Sequence, residues 1–200
     1  MIPFRIKIIA GVSGGVILLL IGIILFKNHP LQVARLSSSL FGLSASGNQH
    51  ASEGTPATAS QPIGPLTEVY QNKNYHFSLN YPKSFLTAQQ NLQGQAGSQI
   101  LLYAPKMKQG FQITTYPFDE PGLLTKERIL QDIPDIKITN ETPIAIGNSI
   151  PALGFESSDE LVGKTYEVWF ISKGSVFQIE TYQTFKDQLL AILATWKSQP

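Results

Sequence analysis

The chain has 200 residues, 42% of them hydrophobic and only 14% charged, so it holds one domain with a tail or two very small domains. Residues 1–65 have a net charge of +3 and residues 66–200 a net charge of −2, so the larger part lacks the concentrated basic face that nucleic-acid binding requires. The absence of cysteine excludes disulfides, thiolate metal sites and a catalytic thiol.

Residues 8–26 form an uncharged apolar run that follows a short N-terminal segment, residues 1–7, which carries Arg5 and Lys7. Its nineteen residues span about 28 Å as a helix, close to the hydrocarbon core of about 30 Å. The run is longer than the apolar region of about 7–15 residues that is usual in cleaved signal peptides. It predicts an uncleaved, single-pass transmembrane helix that anchors the chain in the lipid bilayer.

Basic residues flank both ends of this run and set its orientation. Two stand on each side, namely Arg5 and Lys7, then Lys27 and Arg35. The N-terminal amine tips the balance, so the positive-inside rule predicts a cytoplasmic N-terminus and a C-terminal domain outside the cytoplasm. Gly11 and Gly15 form a small-xxx-small pair that favours close helix packing, although glycine is also simply common in membrane helices.

Residues 27–65 are predicted to be a flexible linker. Within residues 37–65, twenty of twenty-nine are Ser, Thr, Gly, Ala or Pro, without apolar periodicity. A flexible coil of this length has a root-mean-square end-to-end distance of about 30 Å. It keeps the following domain, residues 66–200, close to the membrane.

The domain begins with a series of predicted strands, because apolar residues alternate with a period of two. The first strand covers residues 75–81, with Val69 and Tyr70 as its hairpin partner. Further strands are predicted over 99–104, 111–118, 136–140, 143–146 and 150–157. The clearest hairpin joins 164–172 to 176–183 through residues 173–175. Both faces of its first strand carry apolar residues, which indicates a sheet covered on both sides.

Two helices are predicted to cover this sheet. One runs over residues 125–133, with Thr125 as N-cap and Pro134 beyond its end. The other runs over residues 185–198 and carries one apolar stripe, namely Phe185, Leu189, Ile192, Leu193 and Trp196. Sequential hairpins with few helices predict an α+β fold built on an antiparallel sheet flanked by helices.

Four stretches of the domain resemble the PsbP-like superfamily in their order and pattern. They are NYHFSLNYP, TPIAIGNSIPALGFE, YEVWFISKGSVFQIETY and FKDQLLAILATWKS. The similarity covers about residues 67–198 and implies an α/β/α sandwich around an antiparallel sheet. It also implies a non-catalytic role in protein binding or assembly, and it brings no catalytic residues, because the superfamily has no shared catalytic set.

The search for chemistry in the residues predicts no catalytic group, no metal site and no cofactor. His76 is the only histidine of the domain, on a predicted strand, and a metal site needs several converging ligands. Residues 163–165 end like a phosphate-binding loop, but Ser158 stands where its first glycine belongs. The acid pairs at 119–120 and 159–160 are typical of solvated turns.

The loop after the predicted strand 111–118 is the best candidate for a partner-binding element. It combines aromatic and acidic side chains outside any helix or strand pattern, and its candidate binding residues are Tyr116, Phe118, Asp119 and Glu120. Packing of Tyr116 and Phe118 in the core is the alternative interpretation.

Three functional hypotheses follow from these observations. The first is an extracytoplasmic, membrane-anchored domain that binds or helps assemble another protein of the cell envelope. The second is a surface protein that binds a small ligand or has weak enzymatic activity, which would require a pocket with converging polar groups. The third is a structural spacer that dimerises through Gly11 and Gly15.

Overall fold

The computed structural model describes residues 63–92, 96–120, 122–147, 149–159 and 163–200. The strands are β1 (Glu68–Asn72), β2 (Phe77–Tyr81), β3 (Leu86–Asn91), β4 (Ser98–Ala104), β5 (Gln109–Pro117), β6 (Thr139–Ile146), β7 (Ile150–Asp159), β8 (Gly163–Ser172), β9 (Ser175–Tyr182) and β10 (Lys197–Ser198). The helices are α1 (Lys126–Asp132) and α2 (Lys186–Leu193), the second preceded by a 3-10 turn over Gln183–Phe185.

The strands pair in two antiparallel sheets. The larger sheet has seven strands in the order β3-β4-β5-β9-β8-β7-β6, and the smaller has the order β1-β2-β10. The C-terminal strand β10 therefore pairs with β2, near the start of the domain. Strands β3 and β6 form the two edges of the larger sheet.

The hairpin β8–β9 lies near the middle of the larger sheet, and its turn fixes its register. Lys173 and Gly174 have φ angles of 48° and 71°, the backbone that a two-residue type I′ turn requires. Ser172 therefore stands opposite Ser175. Because side chains alternate along a strand, this register decides which residues of β8 and β9 share a face.

One face of the larger sheet, here called the first face, is apolar and is covered by α2 and the smaller sheet. Phe177 on β9 lies among aromatic rings from β8, β2 and the segment after α2, with Phe170 stacked on it at 4.9 Å between ring centroids. Phe77 and Trp196 meet its edge at 5.6 and 5.4 Å. Each buried side chain of this size stabilises the fold by about 1.5–3 kcal/mol.

The opposite face, here called the second face, is covered in part by α1. Ile129 of α1 packs with Phe155, Trp169 and Val176 in a separate buried cluster. The helix begins at its predicted N-cap, where the Thr125 hydroxyl accepts a hydrogen bond from the Arg128 backbone N–H at 3.2 Å. A helix therefore packs on each face, so the predicted antiparallel sheet flanked by helices is confirmed for the described residues.

The C-terminal helix is shorter than its apolar stripe predicts. The α-helix ends at Leu193 instead of Ser198, because tertiary hydrogen bonds hold the chain in another path. The Gly147 N–H donates to the Leu193 carbonyl at 3.0 Å, and the Thr195 hydroxyl accepts from the Asn80 N–H at 2.8 Å. Trp196 nevertheless remains buried in the predicted cluster.

Other boundaries also differ from the prediction. The two segments expected at 136–140 and 143–146 are joined in the single strand β6 from Thr139 onwards, with a register irregularity between Thr139 and Thr142, and residues 136–138 precede it without strand structure. Strand β3 was not predicted, because its sequence LTAQQN shows no sustained apolar alternation. His76 does not lie on a strand as expected, since it occupies the turn before β2 with a φ of 53°.

Candidate functional site

The two edges of the larger sheet differ in chemistry. Strand β6 carries Pro143, a register irregularity and the Glu141 carboxylate, which pairs with Lys126 at 3.0 Å. These features commonly protect an edge strand from pairing with another chain. Strand β3, with the sequence LTAQQN, has neither a charge nor a proline, and Leu86 is 45% exposed. Among the described residues, no strand pairs with its outer edge.

A row of polar side chains crosses the second face from this edge to the middle of the sheet. Here called the polar row, it consists of Gln90, Gln99, Gln112, Glu180 and Glu167, on β3, β4, β5, β9 and β8. All of them except the half-buried Gln90 are buried. Buried polar groups of this kind are costly unless they are hydrogen-bonded to one another.

The glutamines of the polar row are joined head to tail. Gln90 Nε2 donates to Gln99 Oε1 at 2.9 Å, and Gln99 Nε2 donates to Gln112 Oε1 at 3.1 Å. Gln112 Nε2 then donates to Glu180 Oε2 at 2.7 Å. Every amide therefore points its donor in the same direction, towards the Glu180 carboxyl group.

The polar row ends in two glutamates that face each other. Glu167 and Glu180 are directly opposite in the register of the β8–β9 hairpin, and they are only 4% and 5% exposed. Side chains in such positions have Cβ atoms about 4.5–5.5 Å apart, and like charges there destabilise the pair.

Burial raises the pKa of Glu167 from 4.5 to about 7. Hydrogen bonds from Trp169 Nε1, at 2.8 Å, and from the side chain of Ser157 lower this pKa in part. Tyr182 lies two residues after Glu180 on β9 and therefore on the same face. Burial raises the pKa of Tyr182, and the Glu180 carboxyl raises it further. The pKa of Tyr103 is raised by burial and then by Tyr182.

The arrangement is suited to holding a proton near neutral pH. A carboxyl group with such a pKa can act as a general acid or base when a substrate reaches it. Glu167 is nearly inaccessible, however, so the geometry favours a proton held inside the sheet. Within the described ranges, no three histidine, cysteine or acidic side chains are grouped so that they could hold a metal ion.

The predicted loop residues are placed differently from one another. Tyr116, at the end of β5, and Phe118 are buried in the cluster under α1, as the core interpretation states. Asp119 and Glu120 are exposed, and Glu120 pairs with Arg128 at 2.8 Å. The Arg128 guanidinium also lies over the Phe118 ring at 5.4 Å from its centroid. A partner-binding role for this loop stays a prediction.

The remaining predicted features fall partly outside the described residues. The apolar run 8–26, with Gly11 and Gly15, and the linker up to residue 62 lie there, as does Glu160 of the second acid pair. Within the part of the chain that the structure describes, neither helix has the length and apolar character needed to cross a bilayer. The predicted membrane anchor therefore stays a prediction.

Sequence analysis missed the polar row, because each of its residues has the character of the solvent side of a strand. One signal was available. A two-residue turn at Lys173-Gly174 fixes the hairpin register, and that register alone places Glu167 opposite Glu180. Two glutamates at opposed positions, flanked by Trp169 and Ile179, are an unusual pair for a strand hairpin.

Comparisons with known proteins give a similarity to solved structures but not to protein families. No protein-family model matches the chain, and no curated protein matches it. Among solved structures, the chain is similar to cyanobacterial PsbP (CyanoP) from Synechocystis sp. PCC 6803, solved in solution. The TM-score is 0.49 at 10% sequence identity, and the similarity covers 72% of this chain and 99% of that one. The likeness concerns the fold alone.

Proposed function

We propose that the chain is a single-pass membrane protein whose domain, outside the cytoplasm, binds or helps assemble another protein of the cell envelope without catalysis. The uncharged run 8–26 and the linker 27–65 support the anchoring part of this proposal. The observation that carries the binding part is the edge strand β3, which has no charge and no proline. Such an edge accepts an extended segment of a partner as a further strand.

The chemistry of β3 defines the expected partner segment. Thr87, Gln89 and Asn91 are exposed and uncharged, and Leu86 adds an exposed apolar side chain at the start of the strand. An extended, uncharged segment with one apolar residue near Leu86 fits this edge. Main-chain hydrogen bonds would provide affinity, and the side chain against Leu86 would provide specificity.

Crosslinking of the full-length chain in its native membrane tests this function. A photoreactive residue at Asn91, an exposed position at the end of β3, should capture one dominant protein. Thr87→Lys in the same chain should abolish capture, because a lysine on an edge strand opposes strand addition. Thr142→Lys on β6, the opposite edge, is the matched control and should leave capture unchanged. Capture that survives Thr87→Lys, or that is lost equally with Thr142→Lys, contradicts the proposal.

The anchor requires its own measurement. The full-length chain should stay in the membrane fraction after an alkaline carbonate wash, and protease added outside intact cells should digest residues 66–200. Release by the wash contradicts the anchor, and protection of the domain contradicts the orientation.

A further inference from the structure

The two glutamates at the end of the polar row cannot both be ionised at low cost. Glu167 and Glu180 are directly opposite and almost completely buried. Two carboxylates that share such a site repel each other, so one of them retains its proton to a higher pH. The geometry of the hairpin therefore favours a state in which one of the two carboxyl groups is protonated and neutral.

Both members accept hydrogen bonds from neutral donors. Gln112 Nε2 donates to Glu180 at 2.7 Å, and Trp169 Nε1 donates to Glu167 at 2.8 Å. A donated hydrogen bond favours the ionised form of either carboxyl group, but neutral donors do not cancel the repulsion between two opposed carboxylates. One proton therefore remains to be held by the pair.

Burial outweighs the hydrogen bonds at Glu167. The donors Trp169, on its own strand, and Ser157, on β7, are neutral and lower its pKa, but burial raises that pKa by more. On the second face, the titratable groups of the described residues on the strands towards β3 are Glu180 and Tyr182 on β9, Tyr116 on β5 and Tyr103 on β4. On α1, Arg128 is engaged by Glu120 and Asp132.

We propose that Glu167 and Glu180 hold a single proton between them at neutral pH, and that alkaline pH removes this proton and weakens the β8–β9 hairpin. This makes the middle of the larger sheet a pH-sensitive element. The inference does not depend on the proposed binding at β3, which is tested by crosslinking.

Carbon-13 NMR of the glutamate carboxyl groups in the full-length chain in micelles locates the proton. A titration from about pH 4 to about pH 9 should show one carboxyl that titrates near neutrality, far from the ordinary glutamate value. Glu167→Gln should remove that signal. Glu127→Gln, which changes an exposed glutamate of α1, is the control and should leave it unchanged.

Glu180→Gln provides a second test, because it keeps Glu167 intact. The near-neutral titration should persist in this variant and move to lower pH, since the neighbouring negative charge is gone. An unchanged titration in Glu180→Gln would show that the two carboxyl groups do not share a proton and would overturn the proposal. A wild-type titration with no carboxyl near neutrality overturns the shared proton itself.

The loss of stability at alkaline pH is tested by urea unfolding. As the pH rises from about 5 to about 8, the urea concentration at the unfolding midpoint should decrease for the wild-type chain. For Glu167→Gln it should stay nearly constant over the same range. An equal fall in both chains would show that the pair does not control the hairpin.

Discussion

The two faces of the larger sheet are both buried but by different means. The first face is closed by apolar and aromatic side chains under α2 and the smaller sheet. The second face has an apolar cluster only under α1, and beside it the polar row runs across five strands. The first face depends on packing, which is insensitive to pH, whereas the second depends on hydrogen bonds and on a protonation state.

This difference shows that burial alone does not describe the role of a strand. The same strand β8 presents Val168 and Phe170 to the first face and Glu167 to the second. Apolar burial gains free energy in proportion to area, but a buried carboxyl contributes only when its partners are in place. We therefore expect the two faces to respond to different perturbations.

The largest expected effect comes from Phe177→Ala on the first face. Removing a ring that contacts Phe77, Phe170 and Trp196 leaves a cavity, so the free energy of unfolding should fall by about 3–5 kcal/mol. Urea unfolding followed by circular dichroism measures it. The control Leu123→Ala changes a side chain that is 69% exposed and should cost less than about 0.5 kcal/mol. Equal losses would contradict the packing described for the first face.

A smaller effect is expected on the second face when the pH rises. The pKa of Glu167 is about 7 in the folded chain and 4.5 at its ordinary value, so the folded state holds the proton more strongly. The contribution of Glu167 to stability is therefore complete below about pH 4.5, falls as the pH rises and is lost above about pH 7. Between these two pH values, the contribution of Glu167 to the free energy of unfolding changes by about 3 kcal/mol. A free energy of unfolding that rises between these pH values would contradict it.

The smallest effect is expected at the helix that covers the second face. Thr125→Ala removes the hydroxyl that accepts the Arg128 N–H, so the chain should lose about 1 kcal/mol. Thr125→Ser keeps the cap and is the matched control. Thr125→Ala should unfold at a lower urea concentration than Thr125→Ser, because only the alanine variant lacks the capping hydroxyl. Identical midpoints would show that the cap does not contribute to stability.

Most of the fold was predictable because its signals are local. The hairpin β8–β9 follows from alternation and a Lys-Gly turn, and α1 follows from its N-cap at Thr125 and from Pro134. The burial of Trp196 also followed from its apolar spacing, even though α2 ends before it.

The remainder depends on contacts between distant residues. Strand β3 forms by pairing with β4, and the end of α2 is set by Gly147 and Asn80, far away in the chain. The polar row required the register of four strand pairs at once. A glutamine on a strand has no local feature that distinguishes an exposed side chain from one that donates to a buried carboxylate.

The pairing of β10 with β2 determines when the domain can be completed. Gln199 donates its backbone N–H to the His76 carbonyl at 2.7 Å, and Ser198 stands opposite Phe77. The edge of β2 that faces β10 therefore lacks its native partner until residues 197–198 have been synthesised. Because synthesis proceeds from the N-terminus, the smaller sheet cannot be completed early. Closure of this sheet, and of the aromatic cluster beneath it, is consequently a late step in the formation of the domain.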